Sequence, residues 1–187
     1  HIMPHWTWEK KGEIKVIRLY TNCDEADLIL NGTSLGRKAL DGDWIEYEVP
    51  YQPGELKVIG YRDGKPVAED VQRTAGKAAA IRMEANRPVL QADGSDVACV
   101  KVSIVDADGI VVPNAENNVQ FEVTGAGTLL GLGNGDPGCR ENDKASSRHA
   151  FSGLILALIQ AKEEAGEIKV RAVSPDLEAC ELVLNTK

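Results

Sequence analysis

Leu30-Asn31-Gly32-Thr33-Ser34-Leu35-Gly36 is the stretch that decides the fold, because it sets an Asn-Gly pair between two strand-like runs at residues 26–30 and 33–37. Asn and Gly tolerate the positive φ values that a two-residue hairpin turn requires. The stretch therefore predicts a tight β-hairpin, and no helical periodicity competes with it.

Similar turns recur along the chain, at roughly the 8–12-residue spacing typical of all-β sandwiches. Residues 55–61 and 66–73 are predicted to form a second hairpin across Asp63-Gly64. The other Gly-containing turn signals are Asp41-Gly42, Pro53-Gly54, Asp93-Gly94, Asp108-Gly109 and Asn134-Gly135.

Strand-like alternation fills the intervals between these turns. Residues 14–20 alternate with Ile14, Val16 and Arg18 on one face, and residues 44–49 alternate strictly, starting at Trp44. We expect Trp44 in the core or at an interdomain contact, since a tryptophan buries a large area, with a lone ring at the surface as the alternative. Residues 154–164 contain good helix formers, but their apolar run leaves no polar face, which favours a central sandwich strand over a helix.

The length of 187 residues suits two small domains better than one. A weakly patterned stretch of small residues at 74–80 marks the boundary, giving domains 1–76 and 77–187. The fold class predicted is all-β, with two tandem β-sandwich domains. The second is expected to be immunoglobulin-like, because residues 102–114 (Val-Ser-Ile-Val-Asp-Ala-Asp-Gly-Ile-Val-Val-Pro-Asn) resemble the bacterial immunoglobulin-like pattern.

Net charge and the positions of the cysteines exclude some classes of function. The formal net charge is −8, and no basic stripe indicates a nucleic-acid partner. No apolar run approaches the ~20 residues of a membrane span. The four cysteines form no CxxC pair, so a zinc site is not expected. No cofactor is expected either. Buried free thiols are the expected state, with a Cys99–Cys180 disulfide as the alternative.

Several motifs together resemble the C-terminal end of bacterial β-galactosidases of glycoside hydrolase family 2. Residues 1–9 (His-Ile-Met-Pro-His-Trp-Thr-Trp-Glu) resemble the Pro-His-Trp-Asn-Trp segment that follows the catalytic barrel, with Thr7 in place of Asn. Residues 16–40, 90–105 and 133–137 continue the resemblance in the expected order. The abrupt start favours a piece of a longer protein, in which His1–Met3 is either native or a cloning remnant.

The resemblance implies a non-catalytic accessory region of a glycosidase that hydrolyses O-glycosyl bonds. Its expected partners are the catalytic barrel and N-terminal domains of the parent chain, and a glycan as a further option; the compartment is periplasmic or cytoplasmic in a bacterium. A glycosidase needs two opposed carboxylates, which this family places on a barrel that 187 residues of this pattern cannot form. A carbohydrate-binding module and an adhesion-type immunoglobulin-like module are the alternatives.

Two segments carry the candidate contact residues for a parent domain or a sugar rim. His5, Trp6 and Trp8 form the densest aromatic cluster, which suits either a sugar-stacking element or a packing anchor. The irregular stretch 133–143 suits a folded turn, a Ca²⁺ loop or an interdomain contact. Its Ca²⁺ ligands would be Asn134, Asp136, Glu141 and Asp143, and its contact residues Asn134, Asp136 and the nearby Arg148.

Overall fold

The computed structural model describes all 187 residues, and its regular structure consists of sixteen β-strands with no α-helix. The predicted all-β class is confirmed. The chain divides into two units, His1–Ala75 and Gly76–Lys187. No helix exists that could cross a membrane.

Unit 1 contains seven strands in two sheets. They are β1 (Ile2–Met3), β2 (Ile14–Leu19), β3 (Glu25–Leu30), β4 (Thr33–Ala39), β5 (Ile45–Pro50), β6 (Glu55–Arg62) and β7 (Lys65–Arg73). One sheet has the order β1-β2-β5 and the other β4-β3-β6-β7, and every pairing is antiparallel.

Both predicted hairpins of unit 1 are present. Asn31 and Gly32 have φ values of 48° and 81°, and Asp63 and Gly64 have values of 50° and 72°. Positive φ at both central residues is the geometry that matches the twist of the flanking strands. The first turn joins β3 to β4 and the second joins β6 to β7.

The core of unit 1 lies between its two sheets. Ile17 and Leu19 of β2 and Tyr47 and Val49 of β5 face inward, opposite buried residues of β3 and β6. Ile14, Val16 and Arg18 share one face of β2, as predicted, and it is the outer face: Ile14 is 55% exposed and Val16 44%. Trp44 lies beside this outer face at 38% exposure and is not in the core, contrary to that part of the expectation.

Unit 2 contains nine strands in two further sheets. They are β8 (Ala80–Ala85), β9 (Val89–Leu90), β10 (Val97–Val105), β11 (Asn118–Gly125), β12 (Gly127–Gly133), β13 (Ser147–His149), β14 (Leu154–Ala161), β15 (Gly166–Val173) and β16 (Cys180–Thr186). The sheet orders are β12-β14-β10-β8 and β13-β11-β15-β16-β9, an immunoglobulin-like two-sheet arrangement. β14 is a central strand, so the strand interpretation of residues 154–164 is confirmed and the helix is excluded.

All four cysteines are free, so the alternative of a Cys99–Cys180 disulfide is wrong. Only Cys23 is buried, whereas Cys99 is exposed and Cys139 and Cys180 are partly exposed. The expectation of buried thiols therefore holds for Cys23 alone.

Candidate functional site

The segment after β1 is anchored by Trp6, which is fully buried in the core of unit 1. Its indole N–H donates to the Gln52 carbonyl oxygen at 3.0 Å, and its ring meets Tyr51 edge-on with centroids 5.1 Å apart. The Thr74 hydroxyl donates to the Trp6 carbonyl oxygen at 2.7 Å. This burial makes Trp6 a packing anchor and leaves its side chain no surface for a partner.

His5 and Trp8 form a separate, half-buried pair at the surface of the same unit. Their rings stack with centroids 4.5 Å apart, and the Lys15 ammonium lies 4.0 Å from the centroid of the Trp8 ring. Burial, together with the Lys15 charge, lowers the pKa of His5 from its ordinary value of 6.5. The lowered pKa favours the neutral imidazole, whose Nδ1 accepts the Thr7 backbone N–H at 3.2 Å.

The indole N–H of Trp8 is buried and has no hydrogen-bond partner. A buried donor without a partner costs about 1–3 kcal/mol. Among the three sequence-predicted residues of this segment, Trp8 is thus the one with a buried polar group that lacks a partner, while His5 shares its partly exposed position.

The irregular stretch between β12 and β13, residues 134–146, surrounds the Arg148 guanidinium. Arg148 is only 2% exposed. Its Nη2 donates at 2.6 Å both to the Leu132 carbonyl oxygen and to Asp143 Oδ1. Its Nη1 lies 3.0 Å from Cys139 Sγ and 3.4 Å from the Glu141 carbonyl oxygen. One buried cation therefore holds both arms of the loop.

Asn134 and Asp136 bond to the loop's own backbone. Asn134 Nδ2 donates to the His149 carbonyl oxygen at 3.0 Å, and Asn134 Oδ1 accepts the Asp136 N–H at 3.1 Å. Asp136 Oδ1 accepts the Gly138 N–H at 2.8 Å. These are the bonds of a folded turn.

Glu141 is also occupied, since its Oε1 lies 2.8 Å from His149 Nδ1. The hydrogen bond from His149 lowers the pKa of Glu141 below its ordinary value. No group of three or more His, Cys, Asp or Glu side chains is placed to hold a metal ion, and Asn134, Asp136, Glu141 and Asp143 do not converge as a Ca²⁺ site would require.

A third surface, which the sequence predictions missed, lies on the outer face of the β1-β2-β5 sheet. Tyr20 and Trp44 lie next to each other there, with ring centroids 6.1 Å apart and planes tilted by 54°. The Arg18 guanidinium lies 5.0 Å from the Trp44 centroid and bonds to Glu46 at 3.0 Å. We define the apolar outer face as Met3, Ile14, Val16, Tyr20 and Trp44.

The concavities of the two units are small or open. A cavity of about 50 Å³ lies in unit 1 beside His1, Leu19 and Asp70. A shallow depression of about 320 Å³ lies on the β11-β15-β16 surface, where Lys169 and Arg171 alternate with acidic side chains. The first is far below the ~300–1,000 Å³ of a typical ligand pocket, and the second lies at the lower end of that range and is lined by a mixture of charged and aliphatic side chains.

Comparison with known proteins gives consistent matches in both units. Residues 81–183 match the model of the glycoside hydrolase family 2 C-terminal domain 5, and residues 12–68 match a domain of unknown function, DUF4982. The chain is 39% identical over its whole length to the β-galactosidase BoGH2A of Bacteroides ovatus, of which it covers 22%. It is 25% identical over its whole length to a β-glucuronidase of Formosa agariphila, of which it covers 19%.

The solved structures include a β-glycosidase from Bacteroides vulgatus, which matches 99% of this chain with a TM-score of 0.96 and 32% identity. The match covers 24% of that protein. The chain thus spans about a fifth to a quarter of the relatives that it resembles.

Proposed function

The chain belongs to glycoside hydrolase family 2, as a C-terminal region, and from that membership we propose that it is a non-catalytic accessory region that packs on and orders the catalytic barrel of a β-galactosidase-type parent enzyme. One observation carries the proposal. All 187 residues align with only 22% of a β-galactosidase, and they fold into β-sheets without a barrel. The active site of the parent would then lie in the other three-quarters.

The carboxyl groups of this chain support a non-catalytic role. A glycosidase acid needs a pKa raised toward neutrality, opposite a second, ionised carboxylate. Where a carboxyl pKa departs from its ordinary value here, it is lowered; these groups are Glu84, Asp93, Asp106 and Glu141. Each of them accepts hydrogen bonds within the fold, which is the environment of a structural carboxylate.

The relatives support a substrate class for the parent. Their printed names include a β-galactosidase and a β-glucuronidase, both of which act on β-linked sugars. The β-galactosidase shares more identity with this chain, which supports galactoside hydrolysis as the activity of the parent.

The test compares the parent enzyme with and without residues 1–187, using a chromogenic β-galactoside and, in parallel, a β-glucuronide. We expect the truncated enzyme to lose thermal stability and activity, and the 187-residue chain alone to hydrolyse neither substrate. A truncated enzyme with unchanged melting temperature and activity would overturn the accessory role. Turnover by the purified 187-residue chain would overturn its non-catalytic character.

A second candidate function is glycan binding, which the exposed Tyr20–Trp44 pair favours. Aromatic rings stack on sugar faces, and Arg18 and Glu46 beside them offer hydrogen bonds. Titration calorimetry of the 187-residue chain with galactose-containing glycans tests it. Heat that disappears in Trp44→Ala would favour this function, and no heat with any glycan would reject it.

A further inference from the structure

The apolar outer face of unit 1 is a continuous surface with no partner in the structure. The register places its side chains on one face of the sheet: Met3 pairs with Arg18 and Val16 with Glu48, and directly opposed residues in antiparallel strands share a face. Arg18 and Glu48 therefore lie among the apolar side chains. The five apolar side chains are each more than a third exposed: Met3 47%, Ile14 55%, Val16 44%, Tyr20 42% and Trp44 38%.

The opposite outer face of the same unit has a different character. The outer face of the β4-β3-β6-β7 sheet is crossed by ion pairs, with N–O distances of 2.7 to 3.3 Å. The pairs are Arg37–Glu25, Lys57–Glu69 and Arg73–Glu55. Since both faces belong to one small sandwich, a general surplus of apolar residues does not explain the contrast. Clustered exposed apolar residues mark an interaction site.

We infer that the apolar outer face is the docking surface for the part of the same polypeptide that precedes His1. The inference rests on the proposed function and specifies its surface. The family match is to a C-terminal domain, and more than three-quarters of the B. ovatus β-galactosidase lies outside the aligned region. The occupant in this inference is the larger part of the parent chain, placed on the N-terminal side because the matched family is a C-terminal domain.

The position of β1 places the residues that precede His1 next to the apolar outer face. β1 is the edge strand of the β1-β2-β5 sheet, with Ile2 paired to Leu19. The His1 backbone nitrogen donates to the Tyr20 carbonyl oxygen at 2.7 Å. Residues preceding His1 therefore leave the unit at the rim of the apolar outer face, beside Tyr20 and its neighbour Trp44.

The chemistry of the face suits a protein better than a sugar. Met3, Ile14 and Val16 are aliphatic and offer no ring for stacking. Residues 14–20 extend for roughly 20 Å at ~3.3 Å per residue, a longer strip than one sugar ring covers. The polar groups that a flat protein contact would have to accommodate are the Arg18–Glu46 pair, bonded internally at 3.0 Å, and the exposed Glu48 opposite Val16.

Hydroxyl-radical footprinting of the full-length parent and of the 187-residue chain tests the inference without relying on activity. Met3, Tyr20 and Trp44 are oxidisable side chains. We expect at least fivefold slower oxidation of all three in the parent than in the 187-residue chain. Leu35 and Val67, exposed on β4 and β7 of the opposite sheet, are expected to react at the same rate in both proteins.

Equal oxidation of the three residues in both proteins would overturn the inference. Protection that grows with the concentration of the 187-residue chain would assign the face to a second copy. Protection that appears only with added galactose-containing glycan would assign it to sugar, and both results would overturn the inference. The proposed function is tested separately by the truncation, so a parent that needs residues 1–187 while Trp44 stays reactive would refute this surface alone.

A charged substitution gives a second readout in the parent enzyme. Val16→Asp is expected to lower the melting temperature of the parent by several degrees and to leave that of the 187-residue chain within about one degree. Val67→Asp, at a 53% exposed valine of the same unit, is the matched control and should change neither. Equal effects of the two substitutions on the parent would contradict the inference.

Discussion

The indole N–H of Trp6 donates a hydrogen bond to the carbonyl oxygen of Gln52 at 3.0 Å, which joins the N-terminal segment to the chain just after β5. Trp6 is fully buried, whereas Trp8, two residues later, is half-exposed and leaves its own N–H without a partner. The two tryptophans of one short motif therefore have different roles. Trp6 stabilises unit 1, and the surface of the motif is formed by His5 and Trp8.

Truncation of Trp6 should destabilise unit 1 strongly. Trp6→Ala is expected to lower its free energy of unfolding by about 3–5 kcal/mol, the usual cost of removing a buried tryptophan. Trp6→Phe keeps most of the packing but leaves the Gln52 carbonyl oxygen without its donor, so a smaller loss of about 1–2 kcal/mol is expected. Urea unfolding followed by circular dichroism measures both.

Trp44→Ala is the matched control, because this tryptophan lies on the outer face of the same unit. Its effect on the unfolding of the 187-residue chain should stay below about 1 kcal/mol. Similar losses for Trp6→Ala and Trp44→Ala would contradict the assignment of Trp6 to the core.

Tyr47 should make unit 1 sensitive to alkaline pH. Its hydroxyl lies 2.8 Å from the Gly36 carbonyl oxygen and 3.0 Å from that of Ala26, and burial, aided by the charge of Asp27, raises the pKa of Tyr47 to about 12. The native state thus favours the neutral phenol. Its contribution to stability is complete below the unfolded pKa of about 10 and is lost as the pH rises toward 12.

Tyr47→Phe is expected to lower stability at pH 8 by about 1–2 kcal/mol and to flatten its decline between pH 10 and 12. Urea midpoints measured at pH 8, 10, 11 and 12 check this. Tyr20→Phe, at an exposed phenol on the outer face, is the control and should keep the wild-type profile. An unchanged alkaline slope in Tyr47→Phe would argue against this origin of the pH dependence.

Most of the strands were predictable from the turns between them. Asn31-Gly32 and Asp63-Gly64 favour hairpin turns with positive φ at both residues, a conformation that few other residue pairs adopt. The orientation of β2 was harder, since Ile14, Val16, Ile17 and Leu19 place apolar side chains on both faces. The buried face follows from pairing: Ile17 lies opposite Tyr47, whose side chain points into the core. Such long-range pairing leaves no local pattern in the sequence.

The sequence predicts which segments carry the candidate contact residues, but not which side chains in them are buried or exposed. The motif around Trp6 and the stretch 133–143 can be recognised in the sequence. The burial of Trp6 and the partial exposure of Trp8, however, depend on contacts with residues about 45 positions away. The role of Arg148 likewise arises from carbonyl and thiol groups that the loop brings to it. Strands β1, β9 and β13 contain two or three residues each, too few for a periodic signal.

Asp106 should be a key stabiliser of unit 2. Its Oδ2 accepts the Gly76 N–H at 2.6 Å, and its Oδ1 accepts those of Ile110 at 2.8 Å and Asp108 at 3.0 Å. Burial alone would raise the pKa of Asp106, but these backbone donors outweigh it and hold the pKa below its ordinary value. The carboxylate thus contributes stability above the unfolded pKa of about 3.9, which is lost as the pH falls through the lower folded value.

Asp106→Asn is expected to destabilise unit 2 by about 2 kcal/mol at pH 7, because an amide group would face backbone donors in place of a charged acceptor. The difference should shrink as the pH approaches 3. Asp108→Asn, at an exposed carboxylate of the same turn, is the control and should change the urea midpoint little. A pH-independent loss in Asp106→Asn would indicate altered packing and not the missing charge.

Removal of the Arg148 guanidinium should open the loop of residues 134–146. Arg148→Met keeps an apolar stem but leaves the Leu132 carbonyl oxygen, Asp143 and Cys139 without their common donor. A loss of about 1.4 kcal/mol in the free energy of loop opening corresponds to tenfold faster cleavage by a protease that acts on the open form. Trypsin can report on this, because Arg140 and Lys144 are exposed cleavage sites inside the loop.

We therefore expect trypsin to cut the loop of Arg148→Met about ten times faster than that of the wild type, as judged by mass spectrometry of the first fragments. Arg171→Met is the matched control: its side chain is 55% exposed and pairs at the surface with Glu181, so its loss should leave loop cleavage unchanged. Equal cleavage rates for Arg148→Met and wild type would mean that the turn bonds of Asn134 and Asp136 suffice to hold the loop. Accelerated cleavage without a change in the unfolding of unit 1 would localise the effect of Arg148 to this loop and its own unit.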